Sequence, residues 1–350
     1  MPHILAAASA FPPHVVPQAA VREAIGKIFA GRIPDLDRLL AVFDHSRIVT
    51  RHLMRPLDWY CQPRSAQERN RIYLEEGLEL LARAAQGCLQ RAACNPASID
   101  HVIAVSSTGH AAPSIDARLI NRLGLRRDVS RLPVWGLGCA AGAAGLARAF
   151  DHCRAHPRAT VLLVALETCS LTFLASDLSK KNLVGTAIFA DGAAAVLVAG
   201  AETAGSGPRL LATRSHLFPQ SENIMGWEFG DAGMQLILSP RLPAVVKEEL
   251  PRLVDGFLHS RGLNRSDLAH YLTHPGGAKV IDAYREALGL HNGELDLTEE
   301  MLRGHGNVSS VSVLVVLEKW LASERARQPG YGLLSAFGPG FSAEQVLLEV

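Results

Sequence analysis

Three glycine-rich motifs hold the side chains of this sequence that are best placed for nucleophilic chemistry. The first, WGLGCAAG at residues 135–142, lies where an apolar run typical of a strand gives way to an alanine-rich run typical of a helix. Cys139 is therefore expected in the first turn of that helix, where free backbone N–H groups and the helix dipole favour a thiolate. The flanking glycines would let a thioester approach the backbone closely. The alternative is a buried core thiol, as we expect for Cys61, Cys88, Cys94 and Cys153.

The second and third motifs supply a histidine and an asparagine. His274 follows a predicted strand in the motif THPGG, and Pro275 with the two glycines predicts an exposed turn that presents the imidazole rather than burying it. The chain has 14 histidines, and a histidine taken at random is more often a surface or core residue than a catalytic one. The position of His274 in this turn is therefore the only argument for a catalytic role. Asn307, in GHGNVSS at residues 304–310, precedes an apolar helix. It either caps that helix or, freed by the glycines around it, turns its amide toward a cavity.

An alternation of apolar strands and amphipathic helices must position these motifs, and this pattern is typical of an α/β protein. Consecutive apolar residues, as at 102–105, predict strands that are buried on both faces. Strands are predicted at 4–10, 101–107, 132–135, 159–166, 189–199, 209–214, 271–273, 331–336 and 345–350, and helices at 18–30, 73–93, 116–123, 140–156, 242–261, 277–288 and 310–326. A Gly-rich polar stretch at 200–207 is typical of a linker between two similar halves.

The composition restricts the class of protein. With 350 residues, 48% hydrophobic, 20% charged and a formal net charge of +1, the chain can bury a large core and is neither disordered nor built to coat nucleic acid. Six scattered cysteines and an N-terminus unlike a signal peptide predict a reduced, cytoplasmic protein. The longest apolar runs fall well short of the roughly 20 residues that a bilayer span needs, so we expect no transmembrane segment.

Four motifs in one order, GCAAG at 138–142, HPGG at 274–277, GNVSS at 306–310 and FGPG at 337–340, resemble the type III polyketide synthases of the chalcone synthase family. FADGAAA at 189–195 adds to the resemblance, which covers almost the whole chain. It implies an α/β thiolase fold of five αβαβα layers, in which half 1–204 carries the nucleophile and half 205–350 carries the histidine and the asparagine. It also implies a homodimer that acts on coenzyme A thioesters with no metal and no cofactor.

By this resemblance, Cys139, His274 and Asn307 form a catalytic triad. Cys139 would take an acyl group from coenzyme A while the imidazole stabilises its thiolate. The His274 N–H and the Asn307 amide would hold the thioester oxygen while malonyl-CoA loses carbon dioxide, and removing one such donor typically costs about 100- to 1,000-fold in rate. Phe189 matches the family's aromatic gatekeeper beside the cysteine, the alternative being an ordinary core phenylalanine.

Departures from the plant members bear on the substrate. Leu236 stands where chalcone synthase has a second gatekeeper phenylalanine, so the cavity mouth has lost a ring, and Ala112 is smaller than the methionine usual in plants. The stretch 167–184 is most similar to bacterial members that make alkylpyrones or alkylresorcinols from long-chain starters. The positions expected to line the cavity are Ser107, Thr108, Ala112, Cys169, Leu171, Thr172 and Ser309.

Coenzyme A recognition is expected on an early helix, where the family has basic residues. This chain offers Arg38, His45, Arg47 and Arg51 there, while Ala41 occupies one usually basic position. Arg38 and His45 are the candidates for phosphate contacts, although single exposed arginines are usually solvated surface. An acyl carrier protein is therefore an alternative donor of the starter.

We expect a polyketide synthase that condenses a long-chain fatty acyl starter with two or three malonyl-CoA units and releases an alkyl-α-pyrone or an alkylresorcinol. One alternative is a type III enzyme with a short or aromatic starter. Another is a ketoacyl-ACP synthase III-like enzyme, which shares the three residue types in different local contexts. The remaining alternatives are a papain-type cysteine hydrolase and a noncatalytic acyl-binding homologue.

Overall fold

The computed structural model describes residues 1–231, 233–291 and 293–350. The first half contains the strands β1 His3–Ala10, β2 His14–Pro17, β3 Thr50–Leu53, β4 His101–Val105, β5 Ser130–Val134, β6 Thr160–Thr168 and β7 Asp191–Ala199, and the helices α1 Gln18–Phe29, α2 Leu36–Asp44, α3 Leu57–Tyr60, α4 Ala66–Ile72, α5 Leu78–Arg91, α6 Ile115–Leu123, α7 Ala141–Ala155 and α8 Lys180–Ile188. The second half contains β8 Arg209–Leu217, β9 Met225–Gly230, β10 Gly233–Leu238, β11 Leu268–Thr273, β12 Tyr331–Gly338 and β13 Ser342–Glu349, and the helices α9 Leu242–His259, α10 Ala278–Leu288, α11 Asp296–His305 and α12 Ser310–Ala322. Within the described residues, we find no helix with both the length and the apolar character that a membrane crossing requires.

Nine of the strands form one sheet, in the order β11-β12-β13-β8-β1-β7-β6-β4-β5. The strands on one side of the β8–β1 junction come from the second half of the sequence, and those on the other side come from the first half. At the junction, His3 of β1 pairs with Arg209 of β8. The sheet is therefore built from two parts, each formed by one half of the chain.

Helices cover both faces of these strands in five layers. Along β4, Ile103 and Val105 pack inward with α7 and α12, whereas Val102 and Ala104 pack outward with α5 and α6, because successive side chains of a strand alternate between faces. Helices α9 and α10 cover the outer face of the second-half strands. With α7 and α12 in the middle, the arrangement is α/β in five αβαβα layers.

The two central helices approach each other closely at a glycine. A Cβ added to Gly142 on α7 would lie 2.3 Å from the carbonyl oxygen of Ser310 on α12. No side chain fits at that distance, so the glycine lets the backbones meet. This contact brings the start of α7, which follows Cys139, beside the start of α12, which follows Asn307.

Several elements differ from the prediction. The helix predicted at 73–93 begins earlier, as α4, and continues through a π-helical turn at Tyr73–Gly77 into α5. Helix α8, helix α11 and the β9–β10 hairpin were not predicted. Helix α8 has a weak apolar periodicity and begins where the Ser179 side chain accepts from the Asn182 N–H. Such elements are stabilised by packing against the rest of the fold, which the sequence pattern does not show.

Candidate active site

Cys139 occupies the middle of a 3₁₀ turn, Gly138–Ala140, that leads directly into α7. The turn requires glycine, because Gly138 has a φ of +45° and a Cβ there would lie 2.8 Å from Cδ of Pro339. The Gly138 N–H donates to Ser107 Oγ at 3.0 Å. The FGPG motif thus packs against the turn, and Cys139 is buried, with 3% of its surface exposed.

His274 directly follows β11, and its backbone N–H donates to the carbonyl of Ser335 on β12 at 2.9 Å. The predicted turn is present, since the Gly276 N–H donates to the His274 carbonyl at 2.9 Å. The prediction of an exposed imidazole is wrong, because only 3% of His274 is exposed. The Asn307 side chain is bonded to this turn and helps to cover it. Among the described residues, neither ring nitrogen of His274 has a hydrogen-bond partner.

Asn307 does not cap α12, because the N-cap of that helix is Ser309 and no side chain caps it, so the capping alternative is wrong. Its Oδ1 instead accepts the Ser309 N–H at 2.8 Å, which closes an Asx turn just before the helix. Its Nδ2 donates to the Gly276 carbonyl at 3.2 Å, which ties it to the His274 turn. Its backbone forms a parallel bridge with Phe189, with the Ala190 N–H donating to the Asn307 carbonyl at 2.9 Å. Asn307 therefore joins the histidine turn to the gatekeeper.

The three motifs converge on the thiol. The Cys139 thiol donates to Ser309 Oγ, with Sγ and Oγ 3.7 Å apart, and the nearby Asn307 side chain acts to lower the pKa of the thiol. Ser309 has a φ of +47°, an uncommon backbone conformation outside glycine, and it turns the chain from Asn307 into α12. The structure thus brings Cys139, Asn307 and Ser309 into contact and attaches the His274 turn to them.

Burial dominates the electrostatics of the site. It raises the pKa of the Cys139 thiol to about 12, opposed by the bonds from Ser309 and Asn307. It lowers the pKa of His274 to about 3. Burial therefore favours the neutral thiol and the neutral imidazole in the free protein. This loss of hydration acts against the helix terminus, which favours the thiolate.

A buried carboxyl group beneath the site was not predicted. Glu167, at the end of β6, accepts from the Ser310 hydroxyl at 2.6 Å, from the Thr108 hydroxyl at 2.8 Å and from the Ser107 N–H at 3.1 Å. Burial raises its pKa to about 7 against these bonds, and its charge raises the pKa of Cys139 further. The signal in the sequence was an acidic residue that ends an otherwise apolar strand.

An apolar cavity lies beside Phe189, whose backbone bridges Asn307, and the three triad residues are not part of its lining. Phe189 and Leu236 both line it, and a Cβ at Gly185 would lie 2.7 Å from Leu236 Cδ2 and 3.5 Å from Phe189 Cδ2. The remaining apolar and aromatic lining comes from α1, the segment 53–60, the turn before α8 and the hairpin: Val21, Ala24, Ile25, Ile28, Leu53, Leu57, Tyr60, Phe173, Trp227 and Met234. Both gatekeeper positions therefore line the cavity, and Phe189 is the one whose backbone bridges Asn307.

The predicted cavity-lining positions fall into three groups. Cys169 and Thr172 line the apolar cavity. Ser107, Thr108 and Ser309 belong instead to the polar shell of the nucleophile, through the bonds to Gly138, Glu167 and Cys139. Ala112 and Leu171 are elsewhere: Ala112 lines a separate cavity beside Trp135, and Leu171 packs in the outer core with α5. Residues 169–172 form a 3₁₀ helix, in which side chains three positions apart share a face, so Cys169 and Thr172 point the same way and Leu171 points elsewhere.

The basic residues of the α2 region have different environments. Arg38 and His45 are exposed on and just after α2. Arg47 pairs with both carboxylate oxygens of Asp282, at 2.9 and 2.8 Å. Arg51 is buried and donates to the carbonyls of Thr186 and Phe189 at 2.5 and 2.7 Å. Arg47 and Arg51 are therefore structural, which leaves Arg38 and His45 as the candidates for a phosphate. Among the described residues, no group of three or more His, Cys, Asp and Glu side chains is arranged to hold a metal ion.

Comparison with known proteins assigns this site to a family. The model of the chalcone and stilbene synthase N-terminal domain matches residues 1–203, and the model of the C-terminal domain of the same family matches residues 209–350. The chain belongs to the chalcone and stilbene synthase family. It is therefore a type III polyketide synthase, an enzyme of a class that condenses coenzyme A thioesters such as malonyl-CoA. The hydrolase, the ketoacyl-ACP synthase III-like enzyme and the noncatalytic homologue are excluded by this assignment.

The bacterial relatives cover the whole chain. A protein named putative chalcone synthase from Bacillus subtilis (strain 168) is 39% identical over 100% of this chain and 99% of its own length. The 1,3,6,8-tetrahydroxynaphthalene synthase of Streptomyces peucetius subsp. caesius is 41% identical over 99% of this chain and 92% of its own length. The crystal structure of the tetrahydroxynaphthalene synthase of Streptomyces coelicolor A3(2), a bacterial type III polyketide synthase, superimposes with a TM-score of 0.93 at 30% identity over 99% of both chains. The thiolase-like fold therefore follows from the structure as well as from the sequence.

Proposed function

We propose that this type III polyketide synthase extends a long-chain fatty acyl starter with malonyl-CoA and releases an alkyl-α-pyrone or an alkylresorcinol. The observation that carries the proposal is the apolar cavity beside Phe189. On α1, Val21, Ala24, Ile25 and Ile28 face it at helical spacing. Each methylene of a fatty chain that leaves water for such a surface contributes about 0.8 kcal/mol. A chain with many methylenes is the starter that gains most from this lining.

In the first step, the starter is loaded onto Cys139. His274, neutral in its buried position, accepts the Sγ proton as the sulfur attacks the thioester carbonyl. The C–S bond to coenzyme A breaks, and the coenzyme leaves as a thiol with a proton from the imidazole. The product is an acyl thioester on Cys139. The gatekeeper positions Phe189 and Leu236 then lie between the acyl group and the incoming extender.

In the second step, malonyl-CoA loses carbon dioxide to give the enolate of acetyl-CoA. One N–H of the Asn307 amide is held by the Gly276 carbonyl, so the amide is oriented and its other N–H is left for the enolate oxygen. The neutral imidazole of His274 supplies the second donor. The enolate carbon attacks the acyl carbonyl and the Cys139 sulfur leaves, which lengthens the chain by two carbons on coenzyme A. Further rounds and ring closure by lactonisation or by aldol condensation complete the reaction.

We also propose a homodimer that pairs through β5. This strand is the edge of the nine-stranded sheet, and four of its five residues are exposed. An unpaired exposed edge is a template for another strand. Beside it, Trp135 and Phe229 are exposed aromatic residues whose rings lie 5.9 Å apart.

Exposed Arg38 and His45 are the proposed phosphate contacts of coenzyme A. The six unpaired cysteines are consistent with the reducing cytoplasm.

A second candidate is favoured by the names of the relatives. The Streptomyces peucetius protein is named 1,3,6,8-tetrahydroxynaphthalene synthase. A Streptomyces toyocaensis protein that is 36% identical over 78% of this chain is named 3,5-dihydroxyphenylacetyl-CoA synthase. An enzyme of that kind would release a hydroxylated aromatic product without an alkyl tail. The two candidates differ in whether the product carries the starter's chain.

The test is product analysis by mass spectrometry. Purified protein is given malonyl-CoA alone or with a series of acyl-CoAs from acetyl to stearoyl, and Cys139→Ala is the control. Tri- or tetraketide pyrones or resorcinols that carry the long chain support the proposal. Product from malonyl-CoA alone, unchanged by added acyl-CoA, supports the second candidate. Use of only short or aromatic starters contradicts the long-chain proposal and leaves the family assignment intact.

A further inference from the structure

Two cavities share one wall. The apolar cavity beside Phe189 and a second groove, open at the surface near α3 and α4, are both lined by Tyr60, Ser170 and Phe173. These three residues come from the end of α3 and from the turn after β6. They therefore lie between the apolar cavity and the surface groove.

Tyr60 is fixed in this wall by a chain of hydrogen bonds. The Arg55 N–H donates to its hydroxyl oxygen at 3.2 Å, and the hydroxyl lies 2.6 Å from Ser170 Oγ. Ser170 in turn donates its hydroxyl to Asp191, whose other oxygen accepts the Ser170 N–H at 2.7 Å. Because Ser170 uses its proton on Asp191, Tyr60 donates to Ser170. Every polar atom of this chain thus has a partner, and the ring is held across the gap.

The ring itself is packed from the side of the groove. Trp59 contacts Tyr60 edge to face, with ring centroids 4.9 Å apart, and the guanidinium of Arg64 lies 4.9 Å from the Trp59 ring centroid. On the other side of the gap, Phe173 contacts Phe29 of α1 edge to face at 6.2 Å. Tyr60 is 8% exposed, so the wall is closed in this structure.

The groove beyond the wall is suited to the end of a fatty chain. Its lining combines apolar and polar side chains. The apolar ones are Trp59, Pro63, Ala66, Phe173, Leu174 and Ala175, and the polar ones are Arg32, Gln62, Arg64, Ser65, Arg69, Ser170, Ser176 and Asp231. A chain that passed the wall would therefore exchange water for apolar surface over the next several methylenes.

We propose that Tyr60 is the residue that sets the length of the starter's acyl chain. With the Tyr60–Ser170–Asp191 hydrogen bonds intact, the apolar cavity ends at the Tyr60 ring. When the ring moves aside, the cavity and the groove become one passage, and longer chains are bound. The inference rests on the proposed function in one respect, that the chain in the apolar cavity is the starter's.

The test compares chain-length profiles of the wild type with Tyr60→Ala and Tyr60→Phe. Purified variants receive malonyl-CoA with acyl-CoAs of six to eighteen carbons, and product is measured for each length. Because each additional buried methylene is worth roughly fourfold in binding, we expect Tyr60→Ala to raise the ratio of the longest to the shortest starters used by at least about tenfold. Tyr60→Phe keeps the ring and loses only the hydrogen bonds of the hydroxyl, to Ser170 and from the Arg55 N–H, so we expect a shift of about threefold in the same direction.

Tyr73→Phe is the matched control, because Tyr73 is another buried tyrosine whose hydroxyl donates to a serine, Ser106, at 3.1 Å, but it does not line either cavity. It should leave the profile unchanged. Calorimetric binding of free fatty acids of eight to eighteen carbons gives the same comparison without turnover. Unchanged profiles in both measurements for both Tyr60 variants overturn the inference. If the wild type uses only short starters, the proposed function fails. A shift to longer starters in the Tyr60 variants would still support the inference that the Tyr60 ring ends the cavity.

Discussion

The catalytic chamber and the starter cavity lie side by side but are built differently. The chamber is fixed by backbone contacts: Gly138 against Pro339, Gly142 against the Ser310 carbonyl, and Asn307 against the Phe189 bridge. The cavity is enclosed by side chains on α1 and on the β9–β10 hairpin. A backbone contact leaves little freedom of shape, whereas a side-chain wall changes with each substitution. We infer that the fold holds the chemistry constant and leaves the choice of starter to the cavity wall.

The two regions also differ in how charge is treated. The chamber holds Cys139 and His274 neutral by burial, with pKa values of about 12 and 3. In the cavity wall, the Asp191 carboxyl group accepts a hydrogen bond from the Ser170 hydroxyl, which is itself bonded to Tyr60, and it lies behind the apolar surface. Burial thus disfavours charge on Cys139 and His274, while Glu167 beneath them is a buried carboxyl that acts on the thiol, and the cavity offers an acyl chain no exposed charge from the Asp191 network.

The largest expected effect removes the nucleophile. Cys139→Ala should abolish product formation, a loss of at least about 1,000-fold, because no other group can form the acyl thioester. Turnover of malonyl-CoA with a preferred starter measures this. Cys153→Ala is the matched control, since Cys153 is also a buried thiol of the same region, on α7, bonded only to backbone carbonyls. Comparable losses in both variants would mean that Cys139 acts through packing rather than chemistry.

The next effect separates loading from condensation. Asn307→Ala removes an oriented donor and should lower the rate of malonyl-CoA decarboxylation by about 100- to 1,000-fold. Acylation of Cys139, followed by the mass of the intact protein, should fall much less, because the thiol and the imidazole remain. Asn264→Ala, at an exposed helix start, is the control variant. Equal losses in both steps would contradict a role for Asn307 at the enolate oxygen.

The pH dependence of stability tests the buried carboxyl beneath the chamber. The folded-state pKa of Glu167, about 7, lies above its ordinary value, so its folded form holds the proton more tightly. Its contribution to stability is greatest below about pH 4.3 and is lost as the pH rises toward 7. Glu167→Gln keeps an amide able to bond the same hydroxyls without a charge. We expect the melting temperature of Glu167→Gln, minus that of the wild type, to increase from pH 5 to pH 8. The increase should correspond to about 1–2 kcal/mol in the free energy of unfolding. A constant difference across this range would contradict the raised pKa.

The smallest effect concerns the cavity mouth. Leu236→Phe adds a ring beside Phe189 and should shift the preference toward shorter starters by a few-fold, with little change in turnover of the best one. Product profiles over the acyl-CoA series measure it. Ile237→Phe is the control, since Ile237 points to the other face of the same hairpin. An unchanged profile for Leu236→Phe would show that this side chain does not contact the starter.

The first half of the fold was more predictable than the cavity. Strands such as β4 and β6 were recognised because their apolar residues are consecutive, which is typical of strands buried on both faces. The β9–β10 hairpin and α8 were missed because their polar and apolar residues follow no strong period. With α1, these elements enclose the apolar cavity that we propose for the starter, so the sequence indicated the chemistry more fully than the specificity.

The sequence by itself determined the α/β class, the family and the three motifs around Cys139, His274 and Asn307, because short glycine-rich turns encode their own geometry. Only the tertiary structure decided that His274 is buried, that Leu171 and Ala112 lie outside the apolar cavity, that Glu167 lies beneath Cys139, and that Tyr60 lines both cavities. Burial and the facing of a side chain depend on which distant segment packs against it. For Tyr60, that segment is the Ser170 turn, which is 110 positions away along the chain.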